Sequence, residues 1–291
     1  MAQTPEPASA MQPVLRVLRL PHLGLGQKIA AVVLVLIIGA TLLAPWLAPH
    51  DPLTMNPLMR LKGPMESHPL GTDNFGRDIL SRVLIGGRLS LAIGIATAVV
   101  SVLLGLVIGL IAGFFRTADA IIMRMMDALM AIPAILLAIA LVALNGPSVG
   151  SVIAAITIPE IPRVVRLVRA VVLAAREEPY VEAAIALGSS MPKILIRHLV
   201  PNTLAPLIVQ GTYILASAIL TEAILSFLGA GVSTETPTWG NIMAEGRMYF
   251  RIKPELIMWP GLMLSLCILS INLLGDAARD MLDPRLQKRA G

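Results

Sequence analysis

Glu182, Ala183 and Ala184, followed by Gly188, Arg197, His198 and Pro201, mark the one polar-flanked, helix-prone insert in a chain otherwise dominated by long apolar runs. These residue types suit docking rather than bond-making. Glu182 to Ala184 open a helical pattern that Gly188 interrupts, because glycine is costly inside a helix and favoured just past its end. Pro192 suits the first turn of a second short helix, with Ile194, Leu195 and Leu199 on one side and Lys193 and Arg197 on another, until Pro201 stops the pattern. Two short helices joined at a glycine corner are too polar to cross a bilayer and too apolar to hang free in water. Such a protrusion wants a groove on a partner.

Reactive chemistry is otherwise absent. The sequence contains no G-x-x-x-x-G-K-[ST] phosphate-cradling loop, no H-E-x-x-H, no C-x-x-C and no G-x-S-x-G, so no catalytic, cofactor-binding or metal-binding residue is expected. The four histidines, His22, His50, His68 and His198, lie far apart along the chain, which argues against a metal site. The single cysteine, Cys267, falls within an apolar run and offers no disulfide. Any nucleotide-driven work by this chain must borrow a nucleotide site from elsewhere.

Of the 291 residues, 56% are hydrophobic and only 14% charged, against roughly a quarter charged in an average soluble domain. That is the composition of a polytopic, all-α membrane protein. The net charge of +5 comes from basic residues spread at the ends of apolar runs, with no aromatic-interleaved patch, so nucleic acid is excluded as a partner.

The positioning elements follow from hydropathy and breakers. Residues 1–28 read as a tail, and residues 29–48 form a charge-free first span long enough for a hydrocarbon core of about 30 Å. Residues 49–88 are polar and rich in Pro and Gly, an ordered segment outside the membrane in which Asp73, Arg77 and Asp78 are expected to build a turn and an ion-pair scaffold. Asp78 should open a short helix. The main transmembrane unit, residues 88–276, is expected to hold spans at about 90–115, 120–144, 148–173, 203–228 and 256–274, with residues 174–202 as the docking segment and 277–291 as a second tail. Gly105, Gly109 and Gly113 recur at four-residue spacing in the second span, a stripe that lets a neighbouring helix approach closely. Pro159, Glu160 and Pro162 interrupt the fourth span, and Arg163, Arg166 and Arg169 follow, as in a kinked helix with a basic end. Between the fifth and sixth spans, residues 229–250 with Trp239, Tyr249 and Phe250 suggest a helix dipping into the membrane interface.

Three acids fall inside spans. Asp127 can pair with Arg124, and Glu222 has two open readings, a residue of the translocation path or a structural hydrogen bond to a neighbouring helix. Together with Glu160 these are the residues an ion-coupled secondary transporter would need, but no matching inverted repeat accompanies them.

The Glu-Ala-Ala triplet, Gly188 and the Arg-His-x-x-Pro-Asn ending resemble the EAA loop of membrane subunits of bacterial ABC importers, in the version found in dipeptide, oligopeptide and nickel permeases. The segment from Leu70 to Leu91, the Ser-Phe-Leu-Gly-x-Gly-Val and Trp-Gly-Asn strings, and Asn272 to Arg285 resemble the C-type subunit of that family. Residues 159–164, Lys253 and Glu255 depart from its pattern. The resemblance implies the type I importer fold with six transmembrane helices, and a permease subunit that moves di- or oligopeptides or related small solutes. It implies as partners a second, B-type permease subunit, two ATP-binding subunits that hold ATP and Mg, and a periplasmic solute-binding protein. It also implies that Glu182, Ala183, Ala184, Gly188, Arg197, His198 and Pro201 couple to the ATPases. With the amino terminus inside, fifteen of the 23 Lys and Arg fall on the cytoplasmic side, placing both termini and the EAA loop there in a bacterial inner membrane.

Overall fold

A computed structural model describes residues 24–233 and 235–282, most of them in helices and none in a β-strand. Most of the two expected tails, with His22, Arg16, Arg19, Arg285, Lys288 and Arg289, lies outside that range. In chain order the helices are α1 (Leu25–Leu42), α2 (Ala44–Leu47), α3 (Ile79–Phe114), α4 (Arg116–Met130), α5 (Ala134–Asn145) and α6 (Val149–Arg176). They continue with α7 (Pro179–Ala186), α8 (Met191–Ile194), α9 (Val200–Phe227), α10 (Trp239–Gly246) and α11 (Glu255–Leu282). Of these, α1, α3, the continuous run Met191–Phe227 and α11 are long and apolar enough to cross a membrane.

Local chemistry explains where the long helices begin. Asp78 caps α3 by accepting the Ser81 N–H at 2.7 Å, and Ser148 caps α6 by accepting the Ser151 N–H at 3.1 Å. The sequence separates a short helix at Asp78 from a span beginning at Ser90; the two are one helix of 36 residues. Gly86 and Gly87 lie inside it, where a Cβ on Gly87 would stand 2.6 Å from the Trp239 ring and one on Gly86 would press on Thr238 and Ile242 at 3.2–3.3 Å. Tertiary contact, not helix propensity, decides these positions.

The expected third span at 120–144 is not one straight helix. α4 and α5 meet at 88° across Ala131, Ile132 and Pro133, so the pair counts as a span only if the broken helix is taken as one. Pro133 lacks an N–H and forces the preceding residue out of helical geometry, and it stands at the N-cap of α5. α6 is long enough to cross, but Pro159, Glu160 and its arginines keep it from qualifying as a span by composition. It nevertheless runs parallel to α3 over much of its length.

The α3–α6 seam is where the small-residue stripe sits. Gly105 meets Val164, Gly109 meets Val168 and Gly113 meets Val172; a Cβ on Gly109 or Gly113 would lie 2.6 or 2.7 Å from the facing valine Cβ. Matching increments of four residues on both helices show that they run in the same direction. α9 runs against them, with Ile219 over Gly94 and Glu222 beside Ser90, and α11 runs back against α9, with Gly275 against Thr212. The bundle therefore has two ends. One carries residues 49–78 and α10; the other carries α7 and α8.

Prediction: Gly109→Leu overpacks the seam, at a cost on the order of 1–3 kcal/mol or more. The variant should lose its monodisperse peak in detergent chromatography and its thermal midpoint should fall. Gly150→Ala, where a Cβ meets nothing within 4 Å, should leave both unchanged.

Candidate functional site

The docking segment begins where α6 ends. The Arg176 guanidinium donates to the Phe114 carbonyl at 3.2 Å, tying the last turn of α6 to that of α3. Pro179 then opens α7, where a missing N–H costs nothing. Val181 is fully buried with Val172, Ile194 and Leu199, and this one side chain seats the short helix on the bundle. Much of the rest of its surface is left uncovered: Glu182, Ala183, Ile185 and the C-cap Leu187 are exposed, Leu187 at 85%. Ala184 is half-buried.

Gly188 closes α7 with a complete Schellman motif. The Ser189 N–H donates to the Ala184 carbonyl at 3.0 Å and the Gly188 N–H to the Ile185 carbonyl at 2.9 Å, which requires φ of +76° at Gly188. Nothing lies within 4 Å of the position a Cβ would take, so backbone conformation alone calls for glycine here.

Pro201 does not stop the second helix. α8 passes through a π turn at Leu195–Leu199, in which the Val200 N–H reaches back to the Leu195 carbonyl, and continues into α9. A widened turn relieves the clash between a proline ring and the carbonyl four residues earlier, which is how the helix survives. Arg197 is exposed and His198 half-buried, its ring 6.1 Å from that of Tyr180. Asn202 donates to the Tyr180 hydroxyl at 2.9 Å and the His198 carbonyl at 2.6 Å, so it clasps α7 to the start of α9. Tyr180 was not singled out by the sequence. Its only signal is its place directly before the buried Val181.

Arginines of α6 hold α4 at this end. Arg166 pairs with Asp127 at 2.6 Å and Arg169 forms a two-point pair with Asp119. The expected partner of Asp127, Arg124 on its own helix, is not the one it uses.

At the other end Asp73, Arg77, Arg82 and Glu245 form a buried lock. Asp73 accepts from Arg77 Nε at 2.6 Å and from Arg82, and Glu245 accepts from Arg82 at 2.7 Å and from Arg77. Asp73 also takes the Phe75 and Arg77 N–H groups at 2.8 and 2.9 Å. Two arginines and two carboxylates thus fasten α10 to the head of α3. The other half of this scaffold, Glu245, lies 163 residues from Arg82, and no spacing rule reaches that far.

Within the bundle Glu222 is fully buried and accepts from Ser90 at 3.2 Å and Ser226 at 2.8 Å. Ser90 in turn accepts the Trp239 N–H at 3.2 Å, and the Trp239 indole donates to the Val83 carbonyl at 3.0 Å. Trp239, expected at the lipid boundary, is instead wholly buried. Its bulk fills the space opposite Gly87 that two glycines on α3 leave. Glu160 faces Arg163 at 3.2 Å and Ser217 at 3.4 Å.

Residues 101–288 match the family described as the binding-protein-dependent transport system inner membrane component, and residues 28–64 match the N-terminal transmembrane domain of oligopeptide transport permease C. The chain belongs to this permease family. A probable peptide ABC transporter permease protein of Sinorhizobium fredii is 52% identical over 239 residues, 82% of either chain. The di/tripeptide transport system permease protein of Pseudomonas aeruginosa is 42% identical over 264 residues, covering 88% of this chain and 87% of that one. A glutathione transport system permease protein of Pectobacterium atrosepticum is 40% identical over 260 residues, 89% and 86% of the two chains. The chain is therefore a multi-pass translocation subunit rather than an enzyme, and the ion-coupled alternative falls.

Prediction: Glu245→Ala strands two buried arginines around a single carboxylate, a loss of about 3–5 kcal/mol for a broken buried pair. The purified variant should unfold at a lower temperature than Glu66→Ala, which removes an exposed acid nearby.

Proposed function

We propose that this chain is the C-type permease subunit of an ATP-driven importer of peptides or related small solutes. It lines the path together with a B-type permease subunit, receives cargo from a periplasmic solute-binding protein, and is driven by two subunits that bind ATP and Mg. The observation that carries the reading is the uncovered surface of α7 and its C-cap. An acid, Glu182, stands beside Ala183 and Ile185 on a helix of eight residues pinned from below by Val181, with Leu187 exposed at its C-cap. Small and apolar residues around one carboxylate suit a cleft with a basic residue at its rim, and a cluster of exposed apolar side chains is the mark of an interaction surface. Ala183 permits close approach, and Gly188 supplies the bend.

The sidedness follows from charge. Arg116, Arg124, Arg176, Lys193 and Arg197 cluster at the α7 end, so this end faces the cytoplasm and the ion-locked end faces outward. Six passes then result if the α4–α5 pair and α6 each count as one. α6 can cross in spite of its charges because Ser217, Asp127 and Asp119 on neighbouring helices partner Glu160, Arg166 and Arg169. Relatives whose names specify di/tripeptides and glutathione share about two-fifths of their residues with the chain, which supports short peptides as the cargo class.

Prediction: Gly188→Val forces a β-branched residue into left-handed geometry at roughly 1–2 kcal/mol and opens the Schellman corner. In proteoliposomes of the assembled transporter, uptake should fall at least about tenfold while the subunits still copurify, a tenfold loss corresponding to about 1.4 kcal/mol at the coupled step. Uptake at the wild-type rate would defeat the coupling role.

A further inference from the structure

We propose that His50, His68 and Asp78 form a binding site for one divalent transition-metal ion of the zinc class. The histidines that look remote in sequence are brought together by the loop after α2. Their rings stack with centroids 4.4 Å apart, and one ligand atom from each of the three residues lies within 4.8 Å of the others. His68 Nδ1 stands 3.0 Å from Asp78 Oδ1.

The carboxylate is already aimed. Asp78 is buried, and its Oδ2 is occupied by the backbone N–H and the hydroxyl of Ser81, both at 2.7 Å, which leaves Oδ1 directed at His68. The Ser81 hydroxyl also accepts the His50 N–H at 3.1 Å, so the backbone carrying the outermost histidine is fixed to the same cap. The nearby cations do not compete for the acid, because Arg77 and Arg82 are engaged by Asp73 and Glu245.

Two imidazoles and one carboxylate are the donors of a borderline ion. Calcium and magnesium ions prefer several oxygens, whereas a zinc ion accepts two imidazole nitrogens and a carboxylate oxygen, with a fourth position left for water. Bonds of about 2.0–2.2 Å place neighbouring ligands of a tetrahedral ion roughly 3.3 Å apart. The His68–Asp78 pair needs to open by a few tenths of an ångström, and the exposed His50 ring needs to swing inward. On binding, the ion takes the place of any proton between His68 Nδ1 and Asp78 Oδ1, and the neutral His68 ring carries its one proton on Nε2. The ion would join the loop after α2, the Met65–His68 turn and the N-terminus of α3 at one point.

The test is titration of zinc chloride into the full-length chain, purified with a histidine-free tag, treated with chelator and reconstituted in nanodiscs. Saturable binding of one ion per chain is expected. His50→Asn should weaken it by at least roughly tenfold, as loss of a ligand does, and cobalt(II) loading should give the visible d–d bands of a four- or five-coordinate site. His50 is exposed and gives only its backbone N–H to the fold's hydrogen bonds, so its replacement keeps the protein folded. Absence of saturable binding, unchanged affinity in His50→Asn, or a cobalt(II) spectrum identical to that of the hydrated ion would each overturn the site.

Discussion

The structure depends on two backbones lying almost in contact. Along the α3–α6 seam three glycines give up side-chain volume so that three valines can fill it, and the axes approach more closely than any other residue would allow. In lipid there is no hydrophobic drive between helices, so dispersion across such a seam must hold them together. Both working ends inherit their positions from it. The docking segment leaves from the end of α6, and the ion lock is built on the start of α3.

The polar groups inside the bundle then divide into two kinds. One kind is spent on fixing elements to one another: the Asp73–Arg77–Arg82–Glu245 lock, and the chain from Glu222 through Ser90 to Trp239. Each residue in these sets has a protein partner, which is what a low-dielectric interior demands. The other kind is directed outward, at Glu182 and its neighbours, where the protein itself offers no partner surface. The division separates what holds the fold from what meets another molecule.

Much of this was legible in the chain. Apolar runs, the proline at the head of each docking helix, Gly188 and the stripe at 105, 109 and 113 are local signals, and local structure obeys them. Errors arose where distant residues decide. Trp239 looks like an interfacial anchor until Gly86 and Gly87 open a slot for it, and Asp127 looks paired with Arg124 until α6 brings Arg166. Pro201 reads as a stop because a sequence does not announce the wider turn that absorbs it. Glu245 and the meeting of His50 with His68 depend on loop paths that no periodicity encodes. The resemblance to the permease family supplied the function where the residues alone supplied only a knuckle in need of a groove.

Because the helix passes through Pro201 unbroken, Met191 to Phe227 is a single rod of 37 residues, about 55 Å long at 1.5 Å per residue. A rod pivoting near its middle behaves as a see-saw. Tilting it by about 5° would carry each tip roughly 2–3 Å in opposite directions. A nudge delivered beside Met191 would then arrive, reversed, at Glu222 and the pocket around Trp239, less whatever bending the π turn at Leu195–Leu199 and Pro206 take up.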